Sequence, residues 1–210
     1  MSLQRLTRTA TLLAALLAAG CSLVGGDAAP DDAALAAASA PSPAVLAEYS
    51  AALAHVQASD EATADSALQA FSAAHPQLAG PLLNLALLRM RQGDEAAARE
   101  YFDQATAVCT SCAPVWNGLG VLNRQQGQFS AAEQAYLKAI ELDPGYALAY
   151  YNLAVLYDLY IQRPELALVN YQQYLSLGAD DGNAEVERWI ADLRRRVSAM
   201  PTTARAEGAT

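Results

Sequence analysis

Cys109-Thr-Ser-Cys112 is the spacing in this chain that sets two reactive side chains close together. Two thiols three residues apart can close a disulfide, take part in thiol–disulfide exchange, or supply half of a zinc site. Zinc needs two further ligands, and the only histidines, His55 and His75, lie well upstream. Covalent haem attachment needs a His after the second Cys, and residue 113 is Ala. Exchange of the thioredoxin type belongs to a βαβ context, which nothing here predicts. The expectation is therefore a disulfide that staples the end of one helix to the start of the next, with a redox role as the competing reading. A loop so short constrains the unfolded chain little. Neither histidine has a nameable acid–base partner. The sequence also lacks a Gly-rich phosphate loop, an H-E-x2-H and a G-x-S-x-G. No catalytic residue, metal or cofactor is expected.

Composition narrows the classes further. The chain has 210 residues, is 53% hydrophobic and only 17% charged, and carries a formal net charge of −9. Its apolar content is mostly Ala and Leu, strong helix formers, which predicts an all-α fold. Phosphate binding needs clustered cations, and the chain has one lysine, Lys138, and one basic run, Arg194-Arg195-Arg196. Nucleic acid is therefore not an expected partner. Several membrane spans are also not expected, because no apolar stretch reaches 18 residues.

The third cysteine, Cys21, closes a different pattern. Arg5 and Arg8 precede an apolar run from Ala10 to Ala19, too short to span a bilayer, and the segment ends Leu17-Ala-Ala-Gly-Cys21. This resembles the signal peptide of bacterial lipoproteins, although Leu stands one residue further from the Cys than is usual there. The resemblance implies cleavage after residue 20 and lipidation of Cys21; an ordinary signal cleaved nearby is the alternative. Ser22, where Asp retains enteric lipoproteins at the inner membrane, implies the outer membrane. Cleavage would remove two arginines and no acid, leaving a net charge of −11. Such a chain is repelled by an anionic surface, so the folded part is expected to hang away from the lipid. Residues 21–44, punctuated by Gly25-Gly26, Pro30 and Pro41-Ser-Pro43, read as a flexible tether with a reach on the order of 25 Å.

A 34-residue period then organises the remainder. Leu85 recurs as Leu119, Ala86 as Gly120, Gly93 as Gly127, Ala98 as Ala132, Phe102 as Tyr136 and Ala105 as Ala139. Trp116, Leu119 and Gly120 share one face of a first helix. Ala132, Tyr136 and Ala139 share one face of a second. Gly127 suits the turn between them and Pro144 ends the second. Small residues let the two helices approach and aromatic ones fill the space beside them.

Residues 113–146 resemble the tetratricopeptide repeat, W-x2-L-G-x2-Y … A-x3-F/Y-x2-A … P, with Asn123 in place of the Tyr. The resemblance implies a right-handed superhelix of three to four helical hairpins over residues 45–199. The units are 45–78 (degenerate), 79–112, 113–146 and 147–181, with one extra residue near Gln162-Arg163-Pro164. A capping helix follows at 183–199, started by Asn183, and residues 200–210 are expected to be a disordered tail.

The resemblance further implies a groove, lined by the first helices, that binds a protein or peptide partner. By phase its residues are Leu83, Asn84, Leu87, Met90, Arg91, Asn117, Val121, Arg124, Tyr151, Asn152, Val155 and Asp158. The apolar ones would supply area and the asparagines hydrogen bonds to a partner backbone. Leu83, Leu87 and Val121 serve equally well as packing between repeats. Tyr146, Tyr151, Tyr160 and Tyr174 exceed what the repeat requires and read either as an interface hot spot or as extra packing.

The function expected is that of a non-catalytic scaffold, lipid-anchored on the periplasmic face of a bacterial outer membrane, with a protein partner in the envelope. Lipoproteins of this appearance include pilotins of type IV pilus secretins and adaptors of peptidoglycan enzymes. The C-terminal stretch has a fainter likeness to proteins of TonB-type energy-transducing systems.

Overall fold

The computed structural model describes residues 41–58, 60–178 and 184–200. The signal, Cys21, nearly all of the tether, Asn183 and residues 201–210 lie outside them. Nine α-helices run through the described residues: α1 (Pro43–Gln57), α2 (Glu61–Ala74), α3 (Ala79–Arg91), α4 (Glu95–Val108), α5 (Ala113–Gln125), α6 (Phe129–Leu142), α7 (Ala147–Val155), α8 (Pro164–Ser176) and α9 (Ala184–Ala199). A π-helical segment, Leu156–Ile161, continues α7. The described residues contain no strand. None of their helices is long and apolar enough to cross a membrane.

Local chemistry sets most helix ends. Ser42, Asp60 and Asp94 accept hydrogen bonds from the backbone N–H three residues on, capping α1, α2 and α4. Gly93 and Gly127 take φ of 77° and 72° after α3 and α5. There the N–H of Asp94 and of Gln128 reaches back to the carbonyl of Arg89 and of Asn123, closing the helix end. The turn after α7 has no glycine. Gln162 takes the left-handed conformation instead, at φ 58°, and the N–H groups of Gln162 and Arg163 both reach the Tyr157 carbonyl. The extra residue read from the sequence is thus absorbed by widening the last turn of the helix.

Consecutive helices pair as hairpins, α1 with α2, α3 with α4, α5 with α6, and α7 with α8, and α9 packs on α8. Each hairpin centres on a small residue facing a large one. Ala64, Ala98, Ala132 and Ala167 are fully buried, as are Leu68, Phe102, Tyr136 and Tyr171 four residues further on. Gly120 shows why the small residue matters: a Cβ there would lie 2.5 Å from the Tyr136 ring. The architecture is an all-α superhelical array of the kind the repeat implies.

One link recurs at every junction between hairpins. Asp65 on α2 holds Arg89 on α3, Arg99 on α4 donates to Asn123 on α5, and Glu133 on α6 accepts from the Tyr157 hydroxyl. Each pair is separated by 24 residues. The geometry of the junction is conserved while its chemistry changes from ion pair to hydrogen bond. Asn123, the departure from the repeat pattern, is buried there and partnered.

Gly120→Ala is expected to lose about 1–3 kcal/mol of stability, because the added methyl meets a fully buried ring. Urea unfolding followed by circular dichroism measures it; an unchanged midpoint would show that the Tyr136 ring can move aside.

Candidate functional site

The first helix of each hairpin presents the same positions every 34 residues. One row holds Leu87, Val121 and Val155, and the next holds Met90, Arg124 and Asp158. Leu87, Val121, Val155, Met90 and Arg124 are half-buried and Arg91 is exposed. Their inner edges pack on the core while their outer edges remain uncovered. Arg124 is fixed from two sides: its Nε donates to the Tyr136 hydroxyl at 3.3 Å and its Nη1 to the Tyr160 hydroxyl at 3.2 Å. Its guanidinium also sits 5.3 Å from the centre of the Tyr160 ring, which leans on Phe129.

Several residues predicted to line the groove do other work. Leu83, Asn84 and Asn117 are buried. Leu83 lies at the Cα of Gly118, close enough for an added Cβ to come within 3.2 Å of it. Asn84 donates to the Tyr49 hydroxyl and to the Gly80 carbonyl. Asn152 donates to Asn117 Oδ1 at 2.9 Å. These polar groups are committed to one another between hairpins, so they are not a free set for a partner's backbone. The reason is proximity: neighbouring first helices lie side by side, and a buried amide without an internal partner would be costly.

Tyr151 is displaced from the predicted groove for a different reason. Its ring is 5.3 Å from that of Tyr174, 6.0 Å from Tyr171 and 6.2 Å from Trp189. It faces α9, which buries Val186, Ile190 and Leu193 against the array. Of the tyrosine surplus, Tyr151 and Tyr174 are therefore packing for the cap, while Tyr146 packs against the cluster of Ala113, Ala139 and Ala149. Tyr160 differs, being 42% exposed beside Leu159 at 66%. Asp158 is closed off by an ion pair to Arg196 at 2.5 Å. Of the predicted set, Leu87, Met90, Arg91, Val121, Arg124 and Val155 remain together on an uncovered face. Phe129 and Tyr160 border it, and only the fold brings Tyr160 back to Arg124.

Cys109 ends α4 and Cys112 starts α5, and the structure joins their sulfurs. The Trp116 indole N–H donates to the Thr110 carbonyl within the same turn, at 2.8 Å. His75 stacks on Phe71 at 4.5 Å and lies 3.6 Å from Glu48, while His55 lies 3.9 Å from Asp60. Both histidines sit at helix ends. No group of three or more potential metal ligands occurs among the described residues.

Three family models described as tetratricopeptide repeat match the chain, at residues 79–110, 113–146 and 135–175. No curated protein matches it in sequence. Among solved structures, pilF of Pseudomonas aeruginosa is similar with a TM-score of 0.65 and 23% identity, over 74% of this chain and 69% of that one. A MamA structure is similar with a TM-score of 0.58 and 23% identity, over 79% and 86%. The first repeat domain of Spaghetti (RPAP3), solved with the HSP90 peptide SRMEEVD, gives 0.53 and 18%, over 59% of this chain and 98% of that one. These likenesses show the shared fold.

The buried tyrosines predict the pH response. Burial pushes the hydroxyls of Tyr49, Tyr157 and Tyr171 well up, and that of Tyr146 to about 12. Glu133 raises Tyr157 further. Above pH about 10 the unfolded chain releases these protons and the folded one keeps them, so stability is full below that pH and falls as pH rises. Absorbance at 295 nm should show these tyrosines ionising together with the loss of helix; a gradual titration that leaves the helix intact would contradict their burial.

Proposed function

We propose that this chain, a tetratricopeptide repeat protein, is a non-catalytic scaffold held at the periplasmic face of a bacterial outer membrane by lipid on Cys21. Its task is to hold a segment of an envelope protein while a larger complex assembles. A repeat array of this family is a protein-interaction scaffold, and the finer reading rests on two features. The sequence around Cys21 supports the anchor. The uncovered row of Leu87, Val121 and Val155, flanked by Met90, Arg91 and Arg124, supports the binding face.

That row is the observation that carries the reading. Aliphatic side chains repeated on successive first helices supply area along a line, as an extended or helical segment requires. Arg124 adds a cation whose direction is set by Tyr136 and Tyr160, so a partner's acidic group or carbonyl meets a donor already in place. Partner specificity then comes from the row and its arginines rather than from the asparagines. The alternative of a pilotin-like factor for secretin assembly, or an accessory of a TonB-type system, is a choice of pathway for this same surface.

Two measurements test the proposal separately. Cys21→Ser should move the protein from the membrane to the soluble envelope fraction; retention in the membrane would remove the lipid anchor. A photo-crosslinking residue at Val121 or Val155 in living cells should give one discrete adduct, lost on Leu87→Glu in a protein of unchanged helicity. A folded protein that yields no adduct from either position would show that this row is not the binding face.

A further inference from the structure

We infer that Cys109 and Cys112 form a redox-controlled joint at the middle of the array, where a disulfide takes the place of the connections used at the other junctions. The three turns between hairpins are equivalent by the 34-residue period, and their chemistry differs at one of them. His75-Pro76 and Asp143-Pro144 open the first and third turns, whereas the second has Cys109-Thr110. The Leu78 N–H donates to the His75 carbonyl at 3.1 Å and the Tyr146 N–H to the Asp143 carbonyl at 3.0 Å. No equivalent bond joins Cys112 to Cys109, and the disulfide spans that gap.

The side-chain links between first helices follow the same division. The first junction has Asn84 donating to Tyr49 and the third has Asn152 donating to Asn117, both across 35 residues. At the second junction the equivalent position is Gly118, which packs against the Phe102 ring and Leu83 and offers no hydrogen bond of its own. There the Arg99 links to Asn123 and Gln126, the Trp116 indole bond to the Thr110 carbonyl and apolar contact remain, and apolar contact is non-directional. The central joint therefore lacks the turn proline, the turn hydrogen bond and the asparagine link. The disulfide is the covalent constraint that replaces them, beside the Trp116 indole bond to the Thr110 carbonyl.

The switch is an ordinary thiol–disulfide exchange with a disulfide-bearing oxidant, protein or small molecule. One thiolate attacks the oxidant's disulfide to form a mixed disulfide. The second thiolate attacks that bond, closing Cys109–Cys112 and leaving both of the oxidant's sulfurs as thiols. The protein loses two electrons and two protons, the oxidant gains them, and a dithiol reductant reverses the step. Because α3 and α5 meet at this joint, its state sets how the Leu87 and Val121 segments of the row align, a consequence that rests on the function proposed above.

Hydrogen exchange on the full chain tests the joint without any partner. The Val115 and Trp116 amides both donate to the Cys112 carbonyl. Reduction should speed their exchange about tenfold and leave the turns at 76–80 and 144–149 unchanged. Cys109→Ser with Cys112→Ser should behave like the reduced chain. Adding Thr110→Pro to that pair should restore the lost protection. Cys109 has φ −140° and ψ 95°, matching Asp143 before Pro144 at −143° and 93°, and among the described residues the Thr110 N–H meets no backbone acceptor. Exchange unchanged by reduction, or raised equally at all three turns, would overturn the inference, as would failure of the proline to restore protection. Loss of partner adducts with the exchange pattern intact would count against the proposed binding face alone.

Discussion

A two-helix hairpin has more apolar surface than it can bury by itself, and every other feature of this molecule follows from how that surplus is covered. Within a hairpin, Tyr136 lies against Gly120 so closely that the backbone itself forms part of the ring's contact surface. Between hairpins, the outer faces meet only because each unit repeats the same pattern of small and large residues. The alanines at 64, 98, 132 and 167 hold the helix separation constant, so the junctions can vary in chemistry without changing register. At the C-terminal end the surplus falls to α9, whose Trp189 occupies the side of Tyr151 that the next first helix would otherwise cover.

Covering the surplus also decides which polar groups remain available. Side chains between first helices are too deeply placed to face solvent, and an amide left there without a partner would cost about 1–3 kcal/mol. The asparagines at 84, 117 and 152 therefore serve the array. The same holds for most of the tyrosines. What is left on the surface is an aliphatic row with one fixed arginine donor, Arg124, and the exposed Arg91, which suits recognition by shape and charge together. Arg124 is the clearest case, since Tyr136 from its own hairpin and Tyr160 from the next both hold it.

The charge distribution fits such a division of labour. Acidic residues cap the second helices at Asp60 and Asp94 and favour their N-termini. Arg89 and Arg196 are spent on Asp65 and Asp158. A net charge of −9 keeps like arrays apart in solution, while Arg91 and Arg124 leave the row locally cationic.

The sequence by itself determined the architecture. Period, helix phase, turn glycines and the small–large pairing are local properties, and a 34-residue repeat of them admits one way of stacking. The extra residue near Gln162 was legible too, although its form, a widened π-helical turn, was not. Only the tertiary structure decided which residues of the first helices are free. Positions 83, 84 and 117 have the same helical phase as a surface row would, and their burial depends on the neighbour one hairpin away. The partnership of Asn152 with Asn117, the seating of Tyr151 on Trp189 and the return of Tyr160 to Arg124 join residues 35, 38 and 36 positions apart. Contacts at that range depend on the angle at which one hairpin meets the next. That angle is set by the summed packing of many side chains, and no single stretch of sequence encodes it.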